Sequence, residues 1–311
     1  PRGPVAVTWV GDNTPSFGGE GRGLQRALRC VLDAADIGYS VVGSDIAGYH
    51  GKLPIPAEVY IRWAQFSTFC GLFLNGGHGE RRMWERSEQE LELVRWCSWL
   101  HTELVPYMYS HVVACHEGGP TLMRPTGEHY EYMFGDAFFV SPIHAASPQH
   151  TVHLPEGRWR WFFDDSEVIE GPVTITRDFA LDEYPVYIRD GAIIPMRISR
   201  SYTGIGARDW EDFLTLNIYP SGDSAFLVHH ADGSGKQTEV HVEARRKSLR
   251  VTLSGANRPH ILRVFTDSAP ARVELDGEAL GEGAGWRFAA ADNRLLIRTE
   301  NYARGEYDIT W

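Results

Sequence analysis

Short apolar runs alternate with helical patterns along the first third of the chain. The runs Val5–Val10 and Tyr39–Gly43 have the length of buried strands, and a third run covers Phe69–Leu74. Between the first two runs, apolar residues recur at helical spacing at Leu24, Leu28, Val31, Leu32 and Ala35. Strands that alternate with helices in this way predict a parallel sheet. We therefore expect about three strand–helix units of a (β/α) barrel here.

A long amphipathic helix is predicted next, and the period of the pattern changes after it. The helix starts near Glu88 and is ended or kinked by Pro106, while Gly118-Gly119-Pro120 marks a domain boundary. Beyond this boundary apolar and polar positions alternate, as in Val173–Ile175, Leu214–Ile218 and Leu249–Leu253. Period two with frequent turn residues predicts antiparallel sheet.

These patterns predict an α/β region followed by all-β structure, in three domains. Residues 1–118 are expected to form part of a (β/α) barrel, and residues 119–200 and 201–311 to form two antiparallel β-sandwiches. The 311 residues, 43% of them hydrophobic, are enough for several cores. The first residue is not Met and the chain opens almost on a strand, so we expect a fragment of a longer protein.

Charge and cysteine content narrow the classes of partner. The net charge of -11 and the pI near 5.6 argue against nucleic-acid or anionic-membrane partners. The apolar runs are far shorter than a bilayer span. The four cysteines are widely spaced, which predicts reduced core thiols, favours a cytoplasmic location and gives no metal site. We assign neither a metal nor a cofactor, and the oligomeric state is left open.

Polar side chains follow each of the three predicted strands. Asp12 comes directly after the first strand, Asp45 after the second and His78 after the third. In a closed parallel barrel the active groups lie where the strands end, so these three residues are candidates for chemistry. For Asp12, a strand followed by an ordinary Gly-Asp-Asn turn is the commoner explanation when these residues are taken alone. Trp159 and Trp161 could stack on a sugar, but large alternate side chains on a strand more often fill a core.

The motifs around these candidates resemble those of the family 31 glycoside hydrolases. Trp9–Asn13 resembles the family's Trp-x-Gly-Asp-Asn acid/base segment, and Ser44–Tyr49 resembles its Asp-Ile-Gly-Gly-Phe strand end. Arg62–Gln65 and the following Phe69 match the Arg-Trp-x-Gln run before the last barrel strand. His78 lies in the region of the substrate-binding histidine. Further similar segments are Leu104–Ser110, Met123–Pro125, Phe134–Asp136 and Tyr184–Pro195.

The resemblance implies the C-terminal part of a (β/α)8 barrel followed by a proximal and a distal β-sandwich. It implies a retaining α-glycosidase of the α-glucosidase or α-xylosidase type, with an oligosaccharide or another α-glycoside as substrate and Asp12 as the general acid/base. The implied substrate-binding residues are Trp9, Asp45, Tyr49, Arg62, Trp63 and His78. The chain departs from the family pattern at Gly71, where the family has proline, and at Leu74, where it has arginine.

The family's nucleophile is an aspartate in a Trp-x-Asp-x-Asn-Glu motif, which does not occur in these 311 residues. We therefore expect the chain alone to hold half of the catalytic pair and to be inactive. Two alternatives stay open. The chain could be a non-catalytic carbohydrate-binding or scaffold protein, or it could belong to an α-glucosyl-transferring member of the family.

Overall fold

The computed structural model describes residues 7–18, 22–50, 54–127, 129–147 and 149–311. The described residues form two compact units, one within Pro1–His101 and His111–Ile188 and the other within Thr102–Ser110 and Arg189–Trp311. The three predicted domains divide the chain more finely and stay a prediction. Residues 5–6 of the first predicted strand lie outside the described residues, as do residues 19–21 within the glycine-rich segment 18–23, which the sequence predicts to be a loop.

The first unit opens with two parallel strands and two helices. Strand β1 (Val7–Trp9) pairs in parallel with β2 (Val41–Gly43), and helix α1 (Leu24–Asp36) connects them. The apolar face predicted for α1 is buried, and Gly38 follows the helix with a φ of 107°, a conformation that glycine adopts without strain. Helix α2 (Ala57–Thr68) follows. The alternation of strands and helices predicted from the sequence is confirmed.

The sequence predicts a third strand over Phe69–Leu74, and the bounds of this prediction are wrong. Phe69 and Cys70 still donate main-chain hydrogen bonds to the last turn of α2, so too few residues remain to form a strand. The extended segment that follows makes only an isolated parallel bridge between Leu74 and Asp45. Gly71 lies so close to β2 that a Cβ there would be 2.6 Å from the carbonyl oxygen of Ser40.

The predicted long helix is two helices, α3 (Glu88–Glu103) and α4 (Val105–His116). Pro106 lies in the first turn of α4, where a missing N–H group costs nothing. The expected break near Pro106 is therefore confirmed. Among the described residues, no helix combines the length and the apolar character needed to cross a membrane.

A six-stranded sheet completes the first unit. Its strands, paired in the order β3-β4-β5-β8-β6-β7, are β3 (Met123–Pro125), β4 (Tyr132–Phe134), β5 (Phe138–Val140), β6 (Gln149–Trp161), β7 (Asp164–Asp178) and β8 (Val186–Arg189). Trp159 is buried in its core beside Phe139 and Tyr187. The interpretation of this tryptophan as a core residue is confirmed.

The second unit contains a nine-stranded sheet built around two long strands, β13 and β17. Its strands are β9 (Ile193–Arg197), β10 (Leu214–Ile218), β11 (Asp223–His229), β12 (Gln237–Arg245), β13 (Ser248–Phe265), β14 (Arg272–Leu275), β15 (Glu278–Ala279), β16 (Trp286–Ala289) and β17 (Arg294–Thr310). Asp276-Gly277 forms the predicted hairpin turn between β14 and β15. Leu214–Ile218 alternates apolar and polar residues, but burial does not follow this alternation, because all five residues of β10 are buried between β9 and β13.

Candidate active site

Two carboxylates lie at the same edge of the β1–β2 pair. Asp12 follows Trp9, the last residue of β1, by three positions, and Asp45 follows Gly43, the last residue of β2, by two. Parallel neighbours end at one edge, so both side chains belong to one surface. The indole Nε1 of Trp9 donates a hydrogen bond of 3.0 Å to Asp45 Oδ2. Asp12, Asp45 and Trp9, predicted separately from the sequence, are therefore brought together.

The electrostatics of this edge differ between the two acids. Partial burial raises the pKa of the Asp45 carboxyl, and the negative charge of Asp12 raises it further. The Trp9 hydrogen bond and the positive charge of Arg81 oppose that rise without cancelling it. The Asp12 side chain is 43% exposed, and its Oδ2 lies 3.9 Å from Nε2 of His50. Asp12 is thus the more accessible carboxylate.

Main-chain hydrogen bonds join the loops that carry these acids. The carbonyl oxygen of Asn13 accepts hydrogen bonds of 2.9 Å from the N–H groups of both Tyr49 and His50. Gly48 makes this approach possible. Its φ is 66°, and a Cβ there would lie 2.2 Å from the same carbonyl oxygen. The positions of the two loops are therefore fixed by backbone contacts.

Two exposed aromatic side chains, Trp9 and Tyr49, border the carboxylates. The ring of His78 packs on Tyr49 with centroids 4.3 Å apart and planes tilted by 54°. Its Nε2 lies 3.1 Å from the carbonyl oxygen of Tyr49. The predicted residues Tyr49 and His78 are thus adjacent in space, although 29 positions apart in the chain. Aromatic faces beside acids suit a ligand with both C–H and hydroxyl groups.

Arg81 is a part of this site that the sequence did not reveal. Its side chain is only 1% exposed. Its guanidinium donates to the carbonyl oxygens of Gly48, Ala47 and His50 at 2.5, 2.9 and 3.1 Å, and its Nη1 lies 3.3 Å from His78 Nε2. Arg81 therefore holds His78 against the loop after β2. Nothing in the local pattern separates it from the neighbouring Arg82.

Arg62 and Trp63 lie away from this surface, and both are buried. The Arg62 guanidinium donates hydrogen bonds to the carbonyl oxygens of Phe179, Ala180 and Glu183. Trp63 Nε1 donates to Ser44 Oγ at 2.8 Å, directly before Asp45. The structure does not bring these two residues to the face that carries Asp12. We interpret Arg62 as a packing residue and Trp63 as a positioning residue for the loop after β2.

The chemistry of this edge is that of carboxylates and aromatic rings. Within the part of the chain that the structure describes, no group of three or more His, Cys, Asp or Glu side chains is arranged to hold a metal ion. The four cysteines are free thiols, of which Cys70 and Cys97 are buried. What the site can do is exchange protons and bind hydroxyl groups through Asp12 and Asp45.

The fold and the site define a protein with carboxylates at the strand ends of a β/α unit followed by β-sheets, and comparison with known proteins identifies the family. Residues 2–111 match the TIM-barrel domain of glycosyl hydrolases family 31, and residues 119–194 match the C-terminal domain of the same family. The chain belongs to glycosyl hydrolase family 31. This confirms the resemblance in the motifs and the expected barrel portion followed by C-terminal β structure.

Individual relatives include both hydrolases and transferases. An isomaltosyltransferase of Sporosarcina globispora is 25% identical over 341 residues, covering 96% of this chain and 30% of that protein. Neutral alpha-glucosidase AB of Mus musculus is 29% identical over 307 residues, covering 85% of this chain and 32% of that protein. A cycloalternan-forming enzyme from Listeria monocytogenes, solved in complex with a pentasaccharide substrate, superposes with a TM-score of 0.86. It is 25% identical, with 98% of this chain and 32% of that chain covered. The chain thus spans about a third of the length of these relatives.

Proposed function

We propose that the protein carrying this chain is a retaining α-glycosidase that hydrolyses α-linked glucosides or xylosides. The observation that carries the proposal is the pair of strand-end carboxylates, Asp12 and Asp45, bordered by the exposed rings of Trp9 and Tyr49. Family membership supports the reaction class. The geometry supports the assignment of Asp12, because an accessible carboxylate is needed to exchange protons with a bound glycoside and with water.

Asp12 is the general acid/base in this proposal. Retention of configuration needs a second carboxylate about 5–5.5 Å away, which attacks the anomeric carbon. We assign that nucleophile to sequence outside these 311 residues, which do not contain the Trp-x-Asp-x-Asn-Glu motif. Asp12 donates its proton to the leaving oxygen as the glycosyl ester forms. In the second step Asp12 removes a proton from water, the water oxygen bonds to the anomeric carbon, and the ester carboxylate leaves.

The neighbouring residues bind and orient the sugar. Asp45 already accepts a hydrogen bond from Trp9 and keeps an oxygen for a sugar hydroxyl. Trp9 and Tyr49 offer apolar faces for the C–H side of the ring, and His78 lies against Tyr49. Burial and the charge of Asp12 raise the pKa of the Asp45 carboxyl, which accepts a hydrogen bond from a sugar hydroxyl when ionised and donates one when protonated.

The test is Asp12→Asn in the protein that carries this chain. Turnover of an α-linked disaccharide should fall at least about hundredfold, whereas formation of the glycosyl ester from a nitrophenyl glycoside should suffer less, since that leaving group needs little protonation. Azide needs no general base, so it should restore turnover and yield the α-configured glycosyl azide. Asp36→Asn, on the exposed end of α1, is the matched control. Equal losses on both substrates without azide rescue would refute the assignment.

Transfer to a sugar acceptor is the second candidate, and the similarity to an isomaltosyltransferase favours it. The glycosyl ester is common to both reactions, so only the acceptor differs. Product analysis with an α-1,4-glucan, with and without added maltose, separates the two: free glucose as the main product supports hydrolysis, and lengthened saccharides support transfer. Saccharide binding without any turnover would instead favour the non-catalytic alternative.

A further inference from the structure

A cavity of about 340 Å³ lies within the second unit, between the start of α4, the ends of β9 and β11, the start of β10 and the middle of β13. Its apolar wall includes Met196, Phe213 and Leu214. The cavity volume falls in the range of small-molecule sites, about 300–1,000 Å³. None of these residues takes part in the proposed reaction at Asp12.

Two ion pairs border the cavity. Arg258 Nη2 lies 2.7 Å from Asp232 Oδ2, and Arg197 Nη2 lies 3.8 Å from Asp212 Oδ1. All four of these residues line the cavity. The charges therefore cancel in pairs, and an anion would have to compete with a carboxylate for either guanidinium. Burial lowers the pKa of the neighbouring His230 to about 4, so this ring adds no charge near neutral pH.

Two backbone irregularities place the polar side chains. The register between β13 and β17 shifts on both sides of Arg258, and bulges of this kind commonly redirect a side chain next to a site. Asp212 has a φ of 69°, in the left-handed region that disfavours residues other than glycine, asparagine and aspartate. Arg258 Nε is buried and makes no hydrogen bond within the described residues. Such a donor marks a site that is incomplete without a bound polar group.

We infer that this cavity is a second saccharide-binding site, which takes a neutral sugar residue and is separate from the site around Asp12. Carboxylate and guanidinium groups side by side match vicinal hydroxyls, because one accepts and the other donates hydrogen bonds. The wall of Met196, Phe213 and Leu214 suits the C–H face of a pyranose ring. Arg298 lies over the Phe213 ring, with its Cζ 4.4 Å from the centroid, and so fixes the wall. The inference goes beyond the proposed function, since no step at Asp12 enters it.

Hydrogen–deuterium exchange of the protein that carries this chain tests the inference, because it reports on the two sites separately. With isomaltose as the probe, we expect saturable protection of residues 210–216 and 228–234. Arg258→Gln removes charged donors and should raise the half-saturating concentration about tenfold or more. Asp212→Gly removes a carboxylate at a φ that glycine adopts freely, so the variant should fold and bind several-fold more weakly. Asp223→Asn, an exposed change elsewhere in the unit, should behave as wild type.

Three outcomes would overturn the inference: no protection of these segments by isomaltose, unchanged half-saturation in both cavity variants, or stronger protection by inorganic phosphate than by isomaltose. Protection of residues 9–14 and 45–50 is recorded in the same experiment and reports on the Asp12 site. If isomaltose protects the cavity segments but not residues 9–14 and 45–50, the result would count against the proposed function alone.

Discussion

Glu103 is a buried acid whose ionisation should make stability depend on pH in an unusual direction. It is the last residue of α3, where a negative charge is also disfavoured by the helix dipole, and it is only 1% exposed. Thr203 Oγ1 donates a 2.8 Å hydrogen bond to Oε2, but Oε1 is buried with no hydrogen-bond partner among the described residues. Burial raises the pKa of Glu103 to about 7.

The direction and the size of the pH effect on stability follow from this shift in the pKa of Glu103. The unfolded chain releases the proton near pH 4.5, and the folded chain keeps it until about pH 7, so the folded state is favoured less and less as the pH rises through this window. Above about pH 7 the free energy of unfolding has lost the whole contribution of the Glu103 pKa shift. At about 1.4 kcal/mol for each pKa unit, ionisation of Glu103 should cost about 3 kcal/mol of unfolding free energy.

Glu103→Gln removes that cost and keeps an acceptor for Thr203. Urea unfolding should show the variant more stable than wild type by about 2–3 kcal/mol at pH 8, and within about 0.5 kcal/mol of wild type at pH 4.5. Glu92→Gln, on the exposed side of the same helix, is the control and should show no such difference between the two pH values. An equal stability change for Glu103→Gln at both pH values would refute the reasoning.

Two further predictions concern Gly48 in the loop after β2 and His260 in β13 of the nine-stranded sheet. Gly48→Ala should lower the free energy of unfolding in urea by about 1–3 kcal/mol, because the φ of Gly48 is 66° and the new Cβ would meet Asn13. Gly77→Ala is the control and should cost less than about 1 kcal/mol, because Gly77 has open space around it. Similar losses in the two variants would contradict this account. Burial lowers the pKa of His260 to about 4, so the free energy of unfolding should fall as the pH drops from about 6.5 to 4. In His260→Gln, the difference in unfolding free energy between about pH 7 and pH 4.5 should be smaller than in wild type. An unchanged difference would show that His260 does not cause the pH dependence.

The sequence predicted the elements whose signal is local. The buried face of α1, the helix break near Pro106 and the turn at Asp276-Gly277 each follow from spacing or from residue type at one place in the chain. Asp12 and Asp45 could be found in the same way, because a carboxylate directly after an apolar run needs no knowledge of distant contacts. Their juxtaposition follows once β1 and β2 are paired in parallel.

Features that depend on distant neighbours could not be predicted. Leu214–Ile218 has the alternation of a half-buried strand, but β9 and β13 flank it and all five residues are buried. Phe69–Leu74 has the composition of a strand, but its first residues complete the end of α2. Arg62 matches a motif, yet it donates to carbonyl oxygens about 120 positions further along the chain.

The site therefore depends on groups that do not themselves face a ligand. Asn13 O holds the loop after β2 against the loop after β1, and Arg81 holds that same loop and His78 together through three carbonyl oxygens. Removing Arg81 would leave the carbonyl oxygens of Gly48 and His50 without their buried donor. Tyr49 lies between these two residues in the chain. The placement of the aromatic face beside Asp12 is thus coupled to a buried cation. If the proposed function is right, substitutions at Arg81 should weaken sugar binding even though the Arg81 side chain is only 1% exposed.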